Sequence, residues 1–159
     1  LVEKGISIKI LTNSLASNDN LAAFSGYQRN REQLLATGVE VYEFKPDAKV
    51  RQRVMTEHMY KKLPTTPIFG LHAKTMTIDD TITVVGTYNL DPRSAHLNTE
   101  SFAIIHSPEI TEHVSAAMKV EMEPENAWRI TTDFNPDNEV SVTKRVGVKL
   151  HRVVPKNIL

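Results

Sequence analysis

The feature that most constrains the fold lies in the first forty-four residues, where a β-rich run, a helix-periodic stretch and a second β-rich run follow one another. SIKILTN, from Ser7 to Asn13, is the first run, and Gly5 closes a short helical end just before it. A polar loop, SLASNDN, leads into a helix from about Leu21 to Ala36, on which Leu21, Phe24, Leu34 and Leu35 fall roughly on one face. Gly38 is a helix stop, and VEVYEF, Val39 to Phe44, is the second strand. Two strands joined through a helix predict a βαβ unit with a right-handed parallel crossover, and therefore an α/β fold.

Three further β-rich runs follow: LHAKTMTID, TITVVGTYN and TESFAIIHS. The Asp79-Asp80 pair between the first two predicts a tight turn and a hairpin. SPEITEHVSAAMKVEME predicts a helix with Ser107 as N-cap, Pro108 at the first helical position and Glu109 in the first turn. Trp128 to Thr132 reads as a last strand. The basic, alternating stretch SVTKRVGVKLHRVV fits neither helix nor strand decisively. Between Lys45 and Leu63, Lys45, Lys49, Arg51, Arg53, Lys61 and Lys62 face only Asp47 and Glu57. Such a run is ordinarily a solvated face, with a local anion-facing surface as the alternative.

A chain of 159 residues, 40% hydrophobic and 24% charged, can bury one sizeable core. Nineteen basic residues balance nineteen acidic ones, so attraction to nucleic acid or to an anionic membrane has to come from a local patch. The lack of cysteine excludes a disulfide scaffold, a Cys-ligated zinc site and a thiol nucleophile. No apolar run approaches the ~20 residues that span a bilayer. The chain opens LVEKGISIKILTN, without Met and without a signal-peptide pattern, and reads as a piece of a longer protein.

The chemistry is concentrated between His72 and Glu100. His72 and Lys74 are two apart on a β-rich run and point to one face; Thr87 and Asn89 repeat that spacing on the next run. If the hairpin pairs in the corresponding register, the four side chains share a face, with Gly86 allowing close approach of a backbone or a ligand. An imidazole, a fixed cation, a hydroxyl and an amide form a phosphate-binding set that includes a titratable nitrogen. Such an imidazole can attack phosphorus or move a proton. Glu100, opening the third run, is the candidate orienting carboxylate for His72. Asp79 lies over 20 Å along the strand from His72 at ~3.3 Å per residue, at the turn, and reads as structural. Ser14, Ser17 and Asn18 are candidates because α/β sheets bind ligands beyond strand C-termini. Arg93 could clamp a phosphate or fix its own loop, His96 is a weaker contact candidate, and Tyr27 and Arg31 read as packing. No His-x3-His or clustered-carboxylate pattern suggests a metal site.

The pattern His72-x-Lys74-x4-Asp79-x6-Gly86-Thr87-x-Asn89 is similar to the HKD motif of the phospholipase D superfamily, with Thr87 where Ser is commoner. NLDPRSAHLNTE, KILTNSLASND and GYQRNREQLLATGVEVYEF resemble the second HKD half of bacterial cardiolipin synthases of the C type; the likeness weakens after about Asn126. The resemblance implies a mixed β-sheet flanked by helices, one phospholipase D-like half-domain over residues 1–159, with 127–159 an extension of undecided structure. It implies a catalytic set of His72, Lys74, Asp79 and Glu100 and a substrate-phosphate set of Lys74, Thr87 and Asn89. It also implies no cofactor or metal, and a phosphohistidine intermediate.

One HKD motif is half an active site. The resemblance therefore implies a phospholipid substrate, together with a partner: the N-terminal HKD half of the same protein, or a second copy in a homodimer. It implies peripheral membrane association for the full-length protein, this piece being soluble, and argues against nucleic acid. The expected activity is phosphatidyl transfer in cardiolipin synthesis, or hydrolysis when water is the acceptor. A single-motif homodimeric nuclease and a folded, non-catalytic fragment are the alternatives.

Overall fold

The computed structural model describes residues 1–18, 20–51, 70–89, 94 and 96–151. The βαβ unit forms as expected. β1 (Lys9–Asn13) and β2 (Glu40–Phe44) pair in parallel, from Lys9 opposite Glu40 to Asn13 opposite Phe44. Between them runs α1 (Leu21–Ala36), whose N-terminus is capped by Asn20 accepting from the Ala23 N–H at 3.1 Å. A 3-10 turn at Val2–Lys4 ends at Gly5 with φ 81°, the left-handed stop expected there.

The strands divide between two three-stranded sheets. The first has the order β1-β2-β6, with β6 (Ala127–Ile130) antiparallel to β2. β2 is therefore central, and Val41, Glu43 and Phe44 are all buried on it. The second is an antiparallel meander of β3 (Thr75–Ile78), β4 (Ile82–Gly86) and β5 (Phe102–His106). The α/β class with flanking helices holds, with two small sheets in place of one continuous mixed sheet.

The helix after β5, α2 (Pro108–Glu121), starts with the expected Ser107 cap, its side chain accepting from Ile110 N–H at 3.3 Å. It covers one face of the meander, where the Thr83 and Thr111 hydroxyls meet at 2.9 Å. The opposite face stays open. Met76, Val84 and Ile104 stand in one cross-strand row, with Gly86 and Phe102 paired beyond it. Met76, Phe102 and Ile104 are 53%, 60% and 62% exposed, a large apolar surface for one small sheet.

The undecided C-terminal stretch is helix α3 (Val142–His151), packed on α1. Leu15, Phe24 and Val148 form a buried cluster between them, with Leu21, Tyr27 and Val140 against it. Each such side chain contributes roughly 1.5–3 kcal/mol when fully buried. Gly147 permits the approach, because a Cβ there would lie 2.9 Å from Leu21 Cδ1.

Beneath this core, Tyr27 and Arg31 do more than pack. Arg31 donates to Glu43 at 2.8 Å, to Asp137 at 2.7 Å and to Asn135 at 2.8 Å. The Tyr27 hydroxyl donates to the same Glu43 oxygen at 2.8 Å, and Gln28 donates to Asp137 at 2.6 Å. Burial raises the Glu43 carboxyl against the lowering effect of Arg31, and burial followed by Glu43 raises the Tyr27 hydroxyl. Burial alone would lower Arg31, but its bonds to Asp137 and Glu43 outweigh that and hold it raised. The cluster ties α1, β2 and the 3-10 turn Pro136–Glu139 together.

The described part of the basic stretch turns onto its own fold. Lys49 pairs with Glu125 at 2.7 Å, Lys45 donates to the Pro124 carbonyl, and Arg51 lies 4.2 Å over the Phe44 ring. Arg53, Lys61 and Lys62 lie outside the described residues.

Candidate active site

The segment leading into β3 carries the expected histidine and lysine. His72 is exposed and Lys74 half-buried, and both precede the first ladder residue, Thr75. The Lys74 ammonium donates to the His72 carbonyl at 3.3 Å. The His72 imidazole has no hydrogen bond among the described residues.

The hairpin register differs from the one that would put four side chains on one face. A two-residue loop of Asp79 and Asp80 would set His72 opposite Thr87. The loop instead includes Thr81, with Ile78 opposite Ile82, so the ladder continues with the Gly86 N–H donating to the Lys74 carbonyl at 3.0 Å. A one-residue shift exchanges faces, so regular pairing does not bring Thr87 and Asn89 onto the face of Lys74. Asp79 and Asp80 have φ values of 49° and 54°, and Thr81 N–H donates to Ile78 O at 3.1 Å. Asp79 is thus a turn residue, as its spacing predicts.

Beyond Gly86 the chain leaves β4, and its polar groups are held by the 94–101 segment. Thr87 donates to the Glu100 carboxylate at 2.5 Å and accepts from Ser101 N–H at 3.1 Å. Asn89 N–H donates to the Ser94 hydroxyl at 3.2 Å. The Thr87 hydroxyl, with smaller contributions from the side chains of Ser94 and Asn98 and from the charge of Lys74, holds the Glu100 carboxyl below the usual carboxylate range. Glu100 is therefore the centre of a small hydrogen-bonded loop, and Thr87, not His72, is its first partner. Gly86 is needed for the neighbouring strand: a Cβ there would lie 2.5 Å from the Ser101 carbonyl oxygen.

Ser14 and Ser17 are buried and bonded to each other, each backbone N–H donating to the other's hydroxyl at 3.1 Å. Asn18 accepts from Asn20 N–H at 2.8 Å, ahead of α1. These three build the turn and do not reach the His72 segment themselves. Their neighbour Asn13, which sequence reasoning passed over as a strand residue, does reach it: its amide binds both backbone groups of Leu71. The position of Asn13 at the C-terminal end of β1 was the available signal. His96 is exposed, and Arg93 lies outside the described residues. Among the described residues no group of three His, Asp or Glu side chains is gathered to hold a metal ion, and no helix is long and apolar enough to cross a membrane.

A sequence profile of the family described as cardiolipin synthase, phospholipase D-like domain, matches residues 1–121. The chain belongs to that family. Cardiolipin synthase C of Escherichia coli (strain K12) is 38% identical over 172 aligned residues, covering 98% of this chain and 35% of that protein. An uncharacterized protein of Helicobacter pylori (strain ATCC 700392 / 26695) is 36% identical over 121 residues, 74% of this chain and 22% of that protein. The chain thus spans well under half the length of these curated relatives. The crystal structure of phosphatidylserine synthase from Haemophilus influenzae Rd KW20 superposes on the whole of this chain and 37% of that one, with a TM-score of 0.57 and 16% identity, a likeness of fold.

Proposed function

We propose that this chain is the C-terminal catalytic half of a two-motif phosphatidyltransferase that makes cardiolipin through a phosphohistidine. The observation that carries the reading is the exposed imidazole of His72, without a hydrogen bond among the described residues, beside Lys74 on a chain of the cardiolipin synthase family. A histidine of the other half attacks the phosphodiester: an N–P bond forms, the P–O bond to the alcohol breaks, and His72 gives its proton to the departing alkoxide. A lipid alcohol or glycerol then attacks the phosphohistidine: a new P–O bond forms, the N–P bond breaks to free that histidine, and His72 takes the proton of the attacking hydroxyl. Lys74 supplies the fixed positive charge at the phosphate oxygens, and Thr87 and Asn89 complete the set from the chain beyond β4, outside the strand ladder. Asp79 stands in the motif as its turn.

The apolar face of the meander supports a missing half. Met76, Phe102 and Ile104 are 53%, 60% and 62% exposed on one face, an apolar grouping of the kind that marks contact surfaces. Contact with that half or with a second copy would cover them, and the full-length protein would work at a membrane surface, where its phospholipid substrate lies.

The test uses the complete protein with a phospholipid labelled at phosphorus. An acid-labile, alkali-stable label is expected on a histidine, and His72→Ala is expected to lower turnover roughly 10²–10⁴-fold, the usual worth of a positioned proton carrier. The 159-residue chain, verified as a monomer, is expected to be inactive. Robust turnover by that monomer, or parental turnover in His72→Ala, would overturn the reading.

A further inference from the structure

We infer that Asn13 is a positioning residue for the phosphoryl-transfer reaction: its side-chain amide fixes the backbone from which His72 projects. The proposal rests on the functional reading above and adds a residue to it.

Asn13 is the last residue of β1, which lies at the edge of its sheet. Its Nδ2 donates to the Leu71 carbonyl at 2.7 Å, and its Oδ1 accepts from the Leu71 N–H at 2.6 Å. Both backbone groups of one residue are thus satisfied by one side chain, as a neighbouring strand would satisfy them. Two short bonds in opposite directions fix both the position and the orientation of the Leu71 peptide groups. The carbonyl carbon of Leu71 is bonded directly to the nitrogen of His72. The pin therefore acts one residue from the imidazole and joins the end of β1 to the segment that leads into β3.

The pin is itself held. The Ser17 hydroxyl lies 3.5 Å from Asn13 Oδ1 as a donor, and Ser17 is locked to Ser14 by their reciprocal bonds at 3.1 Å. Oδ1 thus faces two donors, which determines which end of the amide is oxygen. Both serines are 1% exposed, so water does not compete for these bonds. No other described side chain bonds to Leu71.

An in-line displacement needs its proton carrier at hydrogen-bond distance from the leaving oxygen, held there to within about 0.5 Å. The His72 ring has no bonding partner of its own among the described residues, so the backbone beneath it bears that constraint. Loss of the pin should slow the chemical step and leave ground-state binding alone. That is a kcat effect without a KM effect.

The complete protein is assayed with bis(p-nitrophenyl) phosphate as the phosphodiester probe, in parent, Asn13→Ala, Asn13→Asp and His72→Ala. Asn13→Asp keeps the size and the acceptor for the Leu71 N–H but removes the donor to the Leu71 carbonyl, so it serves if the alanine variant does not fold. The expected result is a fall in kcat of at least about tenfold in the Asn13 variants, with KM within about twofold of the parent and a melting temperature within a few degrees. Hydrogen exchange at the Leu71 amide should be at least about tenfold faster in Asn13→Ala. Parental kcat in both Asn13 variants, alongside an inactive His72→Ala, overturns the role of Asn13 and leaves the functional reading standing. A rise in KM equal to the fall in kcat/KM also overturns it, since that pattern marks lost binding. Parental kcat in His72→Ala overturns the functional reading, and the positioning role falls with it.

Discussion

At the scale of single residues, the Glu100 carboxylate has Thr87 as its first hydrogen-bond partner. Its oxygen takes the Thr87 proton, while the Thr87 oxygen takes the N–H of Ser101, so one hydroxyl joins the start of β5 to the chain leaving β4. The Thr87 bond is the main reason its carboxyl sits below the usual range. A depressed folded pKa means that the carboxylate supports the loop above the ordinary Glu value near ~4.3, and that this support is lost as the pH falls through the lower folded value. Glu100→Gln is accordingly expected to raise exchange at the Ser101 amide at neutral pH. The parent should reach the same loosened state only in acid. Equal exchange in the two proteins across that range would show that the carboxylate does not hold the loop.

At the scale of elements, the meander is set by two short features. Gly86 lies so near β5 that a methyl group would meet the Ser101 carbonyl oxygen at 2.5 Å and Phe102 Cδ1 at 2.9 Å. A backbone oxygen cannot swing aside as a side chain does. Gly86→Ala is therefore expected to cost about 1–3 kcal/mol, read as a lower urea midpoint with an unchanged slope. An unchanged midpoint would mean the two strands separate freely there. The other feature is the Asp79-Asp80 turn with both φ values positive. Asn occupies that conformation as readily as Asp, so Asp79→Asn is expected to keep the parental melting temperature and part of the activity. A loss of activity as deep as that of His72→Ala, at unchanged stability, would make Asp79 part of the chemistry and not only of the turn.

At the scale of the whole molecule, the segment beyond the matched 1–121 region is built into the domain. β6 pairs with central β2, Asp137 bonds the Arg31 guanidinium, and Val148 closes the cluster on α1. The ion cluster is nearly dry, with side-chain exposures of 7% for Arg31, 0% for Glu43 and 6% for Asp137. Removing one partner of such a cluster leaves a buried, uncompensated charge, so Arg31→Met is expected to lose about 3–5 kcal/mol at neutral pH. Burial already raises Glu43, and Arg31, with a smaller contribution from the Tyr27 hydroxyl, opposes that rise. Without the guanidinium the folded carboxyl binds its proton still more tightly than the unfolded chain does, and acid then favours the fold. Part of the loss should be regained between about pH 7 and about pH 5. Chemical denaturation at the two pH values checks this. A deficit that stays constant would place the charge of Glu43 in contact with water.

The βαβ unit, the bounds of α1, the cap and start of α2 and the spacing from His72 to Asn89 were legible in the sequence alone. Each depends on near neighbours: a period of 3.6, a capping hydroxyl, a Pro at the first turn, a fixed count between His72 and Asn89. Tertiary structure decided what depends on distant partners. The alternating stretch at 142–151 is a helix because Leu15 and the α1 residues Leu21 and Phe24 pack against Val148 and Gly147. Arg31 became the centre of a buried cluster because Asp137 reaches it from 106 residues away. The hairpin register turned on one residue of loop, Thr81, whose inclusion sets Ile78 opposite Ile82, a choice that the residue spacing leaves open. Asn13 looks in sequence like the end of a strand; only folding brings it to Leu71, 58 residues on, because a side-chain amide carries no periodic signal and its partners are backbone groups that every residue has.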